Sequence, residues 1–233
     1  MFPARIPIVS NPPSGFNTYS LDFDGTDDYV DCGNGSSLQI TGTAITVSAW
    51  INADSFSGNP TFVANTTAST WANGHAIYGT ASYIYFTING YSTNRAQVST
   101  PSSGAWHHIV GVYDGTTIQI YLNATAGTAA SYDQSIGNSA NTVLGTNNGE
   151  NGTWCNGKLD EVAIWDSALS SGSVSNIYNS GVPTDLLADS NSGDLQGWWR
   201  FEEGSGTSVA DSSTNSNTGT LTNGPAHSTD VPL

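Results

Sequence analysis

Apolar side chains recur at every second position in one short run after another, and that period constrains this chain more than any other feature. In residues 45–51, Ile45, Val47, Ala49 and Ile51 alternate with Thr46, Ser48 and Trp50, as an extended strand with two unlike faces requires. Tyr19, Leu21 and Phe23 alternate with Ser20, Asp22 and Asp24. The sequence Asp24-Gly25-Thr26-Asp27-Asp28 then makes a tight turn or bulge before 29–31 resumes the strand. Asp114-Gly115 separates the apolar runs 106–113 and 118–122, a strong hairpin signal. Residues 83–88, 142–145 and 158–165 read as further strands. One helix is predicted near 170–180: Ser170 or Ser171 caps it, Val174, Ile177 and Tyr178 share a face, and Gly181 and Pro183 end it. Many short strands with regular turns predict an all-β, antiparallel β-sandwich or jelly roll.

Composition agrees. Only 10% of the 233 residues are charged against 37% hydrophobic, so Ser, Thr, Asn and Gly must supply the polar surface, which suits strands and turns better than helices. That length fits one large sandwich or two small domains. We read residues 1–18 as an extended, Pro-rich N-terminal arm and 19–233 as the sandwich, with 195–201 as a strand and the Ser/Thr/Asn-rich tail wrapping it.

Four Lys and Arg stand against 19 Asp and Glu, a formal net charge of −15. Such a surface repels phosphates and anionic lipid, so nucleic acid and membrane surfaces are set aside as partners. Two roles remain for the acids, solubility in a salty medium and cation binding. No stretch approaches the ~18 apolar residues of a membrane span. The opening run is broken by Pro3, Pro7, Pro12 and Pro13 and does not read as a signal peptide. A virion protein, or a piece of a longer exported protein, reconciles an extracellular style of composition with that reading.

Four segments, LDFDGTDDYVD at 21–31, ITVSAWIN at 45–52, WHHIVGVYDGTTIQIYLN at 106–123 and GKLDEVAIWDSALSSGSVSNIYNSG at 157–181, together resemble the laminin-G-like jelly-roll family of the concanavalin-A-like lectin/glucanase superfamily. No single segment is specific; their order and spacing are. A fifth, GWWRFEEGSGTSVADSSTNSNTGTL at 197–221, also resembles the family, where it commonly precedes the FDG segment. Its downstream place here predicts a permuted order or a strand that re-enters the sheet, with Trp198 to Phe201 beside the first strand.

The resemblance implies frequent calcium binding and roles in adhesion or glycan recognition, in cell-surface proteins, carbohydrate-active enzymes and phage virions. It also implies that the first and last core strands are antiparallel neighbours. On that register Cys32 and Cys155 form a disulfide, with two free core thiols as the alternative. The same register brings Asp160 to Asp24, Asp27 and Asp28, which with the Gly25 carbonyl offer calcium an oxygen cage; otherwise these acids cap the turn through their own backbone. Trp71 and Trp154 sit in polar loops and, with Asn73, Asn148 and Asn151, form the expected glycan-binding set. Trp50, Trp106, Trp165 and one of Trp198 and Trp199 are assigned to the core.

The histidines lack metal-ligand spacing. No two of Glu150, Glu161, Glu202 and Glu203 alternate along a strand as a glycosidase pair of this fold does. Asp22 and Asp24 do, but the family turn accounts for Asp24. The expectation is therefore a non-enzymatic adhesion or structural protein at a virion surface (capsid decoration or tail fibre) or outside the cell. It would contact other virion or cell-surface proteins through residues 1–18, or a cell-surface glycan, with homo-oligomers open. The alternatives are a carbohydrate-binding module of a secreted enzyme and, third, a glycoside hydrolase or lyase.

Overall fold

The computed structural model describes residues 16–66, 71–137, 140–149 and 152–233. Two antiparallel sheets pack face to face. The first runs, edge to edge, β10 (Thr125–Ala126), β9 (Thr117–Leu122), β8 (His107–Tyr113), β3 (Ile45–Ala53), β13 (Asn156–Trp165), β1 (Ser20–Asp24) and β17 (Ala226–Ser228). β11 (Ala130–Ser131) pairs with β9, and β14 (Leu195–Trp199) with β13. The second runs β15 (Ser208–Val209), β16 (Gly219–Thr222), β2 (Tyr29–Asp31), β12 (Val143–Leu144), β4 (Thr61–Thr66), β5 (Gly74–Gly79), β6 (Tyr83–Ile88) and β7 (Arg95–Ser99). This is the jelly-roll sandwich that the alternating pattern predicts.

Period-2 alternation explains the core. Leu21, Phe23, Val47, Ile51, Ile109 and Leu159 of the first sheet meet Val30, Val63, Ile77, Ile84 and Phe86 of the second. Thr46, Ser48 and Trp50, on the opposite face of β3, are buried as well, because a second apolar layer covers them. It contains Trp165, Val174, Ile177 and Trp198 and is carried partly by α1 (Ser171–Tyr178). Ser170 caps α1, accepting from the Ser173 N–H at 3.0 Å, while Asn179 in the left-handed region closes it. Trp198 and Trp199, being neighbours on a strand, point to opposite layers, and both are buried. Trp106 is only half-buried and donates its indole N–H to Asp230 at 3.0 Å.

The first and last core strands do lie side by side and antiparallel, with Leu21 opposite Leu159 and Asp24 opposite Asn156. The pairing stops at Asp24. Gly25 takes φ +77° in the turn, and 29–31 does not resume β1 but crosses to the second sheet as β2, between β16 and β12. Two expectations fail for that reason. Cys32 follows β2 in the opposite sheet, whereas Cys155 precedes β13; both are free, buried thiols, so the disulfide between them is not formed. Asp160 lies opposite Trp50 on β3, on the Leu159 side of the paired segment and so away from the turn holding Asp24, Gly25, Asp27 and Asp28.

Trp198 and Trp199 are likewise not beside the first strand. β14 pairs with Val162 to Trp165 of β13, while β1 pairs with Asn156 to Leu159. The two occupy one edge of β13 end to end. The tail contributes strands to both sheets, β17 beside β1 and β16 beside β2. Asp230 pins it: its carbonyl accepts from Ser20 at 2.8 Å, and its carboxylate meets Lys158 at 3.5 Å.

Where the sheets meet, Gly111 leaves the space that Phe86 fills. A Cβ there would lie 2.2 Å from Phe86 Cγ. Gly111→Ala is therefore expected to destabilise the fold by about 1–3 kcal/mol through overpacking, read as a lower urea midpoint at unchanged slope.

Candidate functional site

The outward face of the second sheet gathers polar and aromatic side chains that the core does not use. Strand parity puts Tyr29 and Asp31 of β2 on that face, since Val30 between them is in the core. Val143, Ala64, Ala76, Tyr78 and Tyr85 follow from the neighbouring strands and form one apolar cluster with Trp71, against which Tyr29 packs. At the β2 end lies a groove of about 230 Å³ lined by Tyr29, Asp31, Asn141, Thr146, Asn147 and Asn148, among others. Trp154 stands against Tyr29, ring centroids 6.3 Å apart and planes tilted by 34°. Asn141 donates to both oxygens of Asp31 at 2.9 Å, which holds that carboxylate in place. The Thr146 hydroxyl is buried with no hydrogen-bond partner among the described residues.

At the other end of the face the aromatic rings run together. Trp71 meets Tyr78 and Tyr91 edge-on at 5.2 and 5.0 Å; Tyr78 stacks on Tyr85 at 5.1 Å and on Tyr91 at 5.0 Å; Tyr83 lies 5.9 Å from Tyr85. Tyr83 and Tyr91 are 36% and 38% exposed. The Arg95 guanidinium carbon lies over the Tyr85 ring, 3.9 Å from its centroid, and Nη1 donates to the Tyr78 hydroxyl at 2.6 Å.

The structure thus divides the expected glycan-binding set. Trp154 and Asn148 come together beside Tyr29. Asn148 is engaged at both ends of its amide, accepting from the Thr66 N–H at 2.8 Å and donating to the Asn141 carbonyl at 2.7 Å, so it shapes the groove more than it reaches a ligand. Trp71 is 4% exposed and packs within the tyrosine cluster instead of projecting from a loop. Asn73 is half-buried and turned to Gly137, where a Cβ would fall 2.4 Å from its Oδ1. Asn151 lies outside the described residues. Tyr29, Asn141, Asn147 and the β5–β7 tyrosines with Arg95 were not foreseen, although the alternation in YIYF at 83–86 already puts Tyr83 and Tyr85 on one face.

The acidic turn sits directly before Tyr29. One oxygen from each of Asp24, Asp27 and Asp28 lies within 4.8 Å of the others. Some of their capacity is spent on the turn, since Asp24 accepts from the Thr26 N–H at 2.8 Å and Asp28 from the Asp24 N–H at 3.0 Å. Burial, and then repulsion from Asp24, Asp27 and Asp22, raise the Asp28 pKa above the ordinary carboxylate value despite that bond. An all-oxygen set of crowded carboxylates fits a hard cation such as calcium.

A family model described as the concanavalin A-like lectin/glucanases superfamily, of laminin-G type, matches residues 24–175. The chain belongs to this superfamily. Among solved structures, the sandwich is similar to a protein from Bacteroides ovatus ATCC 8483 described as a candidate carbohydrate-binding protein, with TM-score 0.68 and 17% identity over 93% of this chain. The chain spans 61% of that protein's length. It is also similar to a native heptameric SAP-like pentraxin from Limulus polyphemus, with TM-score 0.55 and 16% identity, covering 70% of this chain and 82% of that one. No curated protein matches the sequence.

In a superfamily that includes glucanases, a buried carboxylate pair is of chemical interest, and β13 carries one. A bulge between Asp160 and Ala163 puts Glu161 at φ +48°. Glu161 accepts from the Trp198 indole at 2.6 Å and pairs with Arg200 Nε at 3.2 Å; Asp160 accepts from Asn17 at 3.0 Å. Nearby, Ser48 Oγ lies 2.7 Å from His108 Nε2. The cavity shared by Ser48, His108, Glu161 and Thr184 measures about 10 Å³, room for a single water at most. A cavity of that size does not seat a sugar ring beside Glu161.

Burial chiefly, and repulsion from Glu161, raise the Asp160 pKa well above the ordinary value. Burial raises that of Glu161 from 4.5 to about 7, against the opposing pull of Arg200. The native state then holds more protons than the unfolded chain between pH 4.5 and 7, so this group's contribution to stability declines as pH rises through that window. Glu161→Gln is expected to flatten that decline in urea denaturation measured from pH 4.5 to 7.5; an unchanged pH profile would contradict it.

Proposed function

We propose that this chain is a non-catalytic glycan-binding and adhesion domain acting at a virion or other extracellular surface, with the outward face of the second sheet as its binding face. The observation that carries the reading is the Tyr29–Trp154 pair beside a groove walled by Asp31, Asn141 and Asn147. Aromatic rings pack on the C–H faces of a sugar, while carboxylate and amide groups take its hydroxyls. At about 230 Å³ the groove is smaller than the ~300 Å³ of small drug-sized pockets. It therefore seats one ring of a longer chain, the rest of which lies along the aromatic face. The fold likeness to the Bacteroides protein is in keeping with this.

Calcium, held by Asp24, Asp27 and Asp28, would relieve the repulsion in the turn that leads into Tyr29 and so stiffen one wall of the groove. The turn contacts the groove loop directly, since a Cβ on Gly145 would lie 3.3 Å from the Asp28 carbonyl.

A glycan array followed by calorimetry tests the first part. Trp154→Ala is expected to weaken the best ligand by roughly tenfold or more, the scale of about 1–3 kcal/mol for burying such a ring. An affinity unaffected by Trp154→Ala, or the absence of any glycan ligand, would overturn it. For the metal, millimolar Ca2+ is expected to raise the melting temperature of the native chain by mass action and to lose that effect in Asp28→Asn.

A further inference from the structure

We propose that the saccharide recognised on this face is acidic, and that Arg95 reads its carboxylate or sulfate group; the proposal rests on the glycan-binding reading above and narrows its ligand class.

Cation placement carries it. Only four residues of the chain are basic: Arg5, Arg95, Lys158 and Arg200. Arg5 lies outside the described residues. Lys158 pairs with Asp22 and Asp230 at 3.7 and 3.5 Å, and Arg200 with Glu161 at 3.2 Å. Arg95 alone, among the described basic side chains, has no described carboxylate within ion-pair reach. In a chain of net charge −15, an uncommitted cation amid so many acids is an unusual local potential. An anionic ligand is repelled by most of the surface and, among the described residues, finds here the one Lys or Arg side chain not already paired with a carboxylate.

The geometry fits such a ligand. Arg95 opens β7 opposite Thr87 of β6, diagonal to Tyr85 on the outward face. The cation–π contact at 3.9 Å over Tyr85 holds the guanidinium in place, and Nη1 is anchored on the Tyr78 hydroxyl at 2.6 Å and the Tyr91 carbonyl at 3.3 Å. Tyr78 in turn donates to that same carbonyl at 2.6 Å. No described residue bonds to Nε or Nη2, so the two remain a donor edge of the kind that takes a carboxylate or sulfate in two parallel bonds. The group is held in advance, so little side-chain entropy is lost on binding. Tyr83 and Tyr91, both more than a third exposed, offer the flanking ring faces. An acidic sugar set down here meets a stacking surface and a charge-assisted fork at once.

Calorimetry of the full chain at low salt against trigalacturonate, its neutral methyl ester and a sulfated trisaccharide decides the matter. At least one anionic probe is expected to bind about ten- to a hundredfold more tightly than the ester, the usual weight of hydrogen bonds to a charged group. The advantage should shrink at high salt. Arg95→Gln is expected to bring the favoured anionic probe down to the affinity of the ester, and Arg95→Lys to restore only part of the gap, because an ammonium keeps the charge and lacks the fork. Which anion responds identifies carboxylate or sulfate as the recognised group. Binding of neither anionic probe more tightly than the ester by the native chain overturns this proposal and leaves glycan binding standing. An advantage that survives Arg95→Gln, with near-ultraviolet circular dichroism unchanged, overturns it too. If Arg95→Gln fails to fold, the comparison of the two anionic probes with the ester on the native chain decides alone. Binding of none of the three probes, nor of any sugar on the array, overturns both readings.

Discussion

β13 is the element on which the rest of the molecule depends. One edge is taken throughout by β3; the other is shared end to end by β1 and β14. The chain leaves the first sheet after Asp24 because β13 itself begins at Asn156, opposite Asp24, and offers β1 no further partner there, while β14 takes the other end of the same edge. The departure makes the acidic turn, and the arrival in the second sheet makes β2, whose parity turns Tyr29 and Asp31 outward. Where one strand begins thus ties the fold to the candidate binding face, because a ladder cannot extend past the end of its partner. The bulge in β13 has a separate effect. By letting two residues oppose one, it turns Asp160 and Glu161 into the layer under α1, where Arg200, Asn17 and Trp198 satisfy them.

Much of this was legible in the residues. Alternation located β1, β3, β6, β8, β9 and β13, because on each of these strands one face enters the inter-sheet core and only β-periodicity can achieve that. The cap at Ser170 was equally plain. What failed was register across a turn. The sequence 21–31 looks like one strand with a bulge, and nothing local to it says that Tyr29 to Asp31 pairs with Val143 and Thr220 instead of continuing along β13. The Cys32–Cys155 bridge and the inclusion of Asp160 in the acidic cluster both depended on that continuation. β4 and β5 were missed for a different reason: Phe62 and Val63 both enter the core across a register shift, so simple alternation is broken.

The binding face was only half visible. Loop tryptophans attract attention because polar neighbours surround them, yet Trp71 is drawn onto the sheet by Tyr78 and Tyr91, which are 7 and 20 residues further along the chain. Conversely, Tyr29 reads as an ordinary strand residue until Trp154 arrives from the far end of the fold. Arg95 was invisible as a site because its meaning is relational: it stands out only once Lys158 and Arg200 are seen paired with carboxylates and Arg95, among the described residues, is not.

The tail holds a consequence for how the molecule comes into being. β1 and β2, which open the described sandwich, are flanked by β17 and β16, which close it. As the polypeptide leaves the ribosome, its opening strands must wait with one side unsatisfied while some two hundred residues are added. Such a topology, rich in pairings between distant parts of the chain, folds slowly and after synthesis instead of piece by piece during it. The two exposed strand edges of that waiting state are where a chaperone, or a second nascent copy, finds its opportunity.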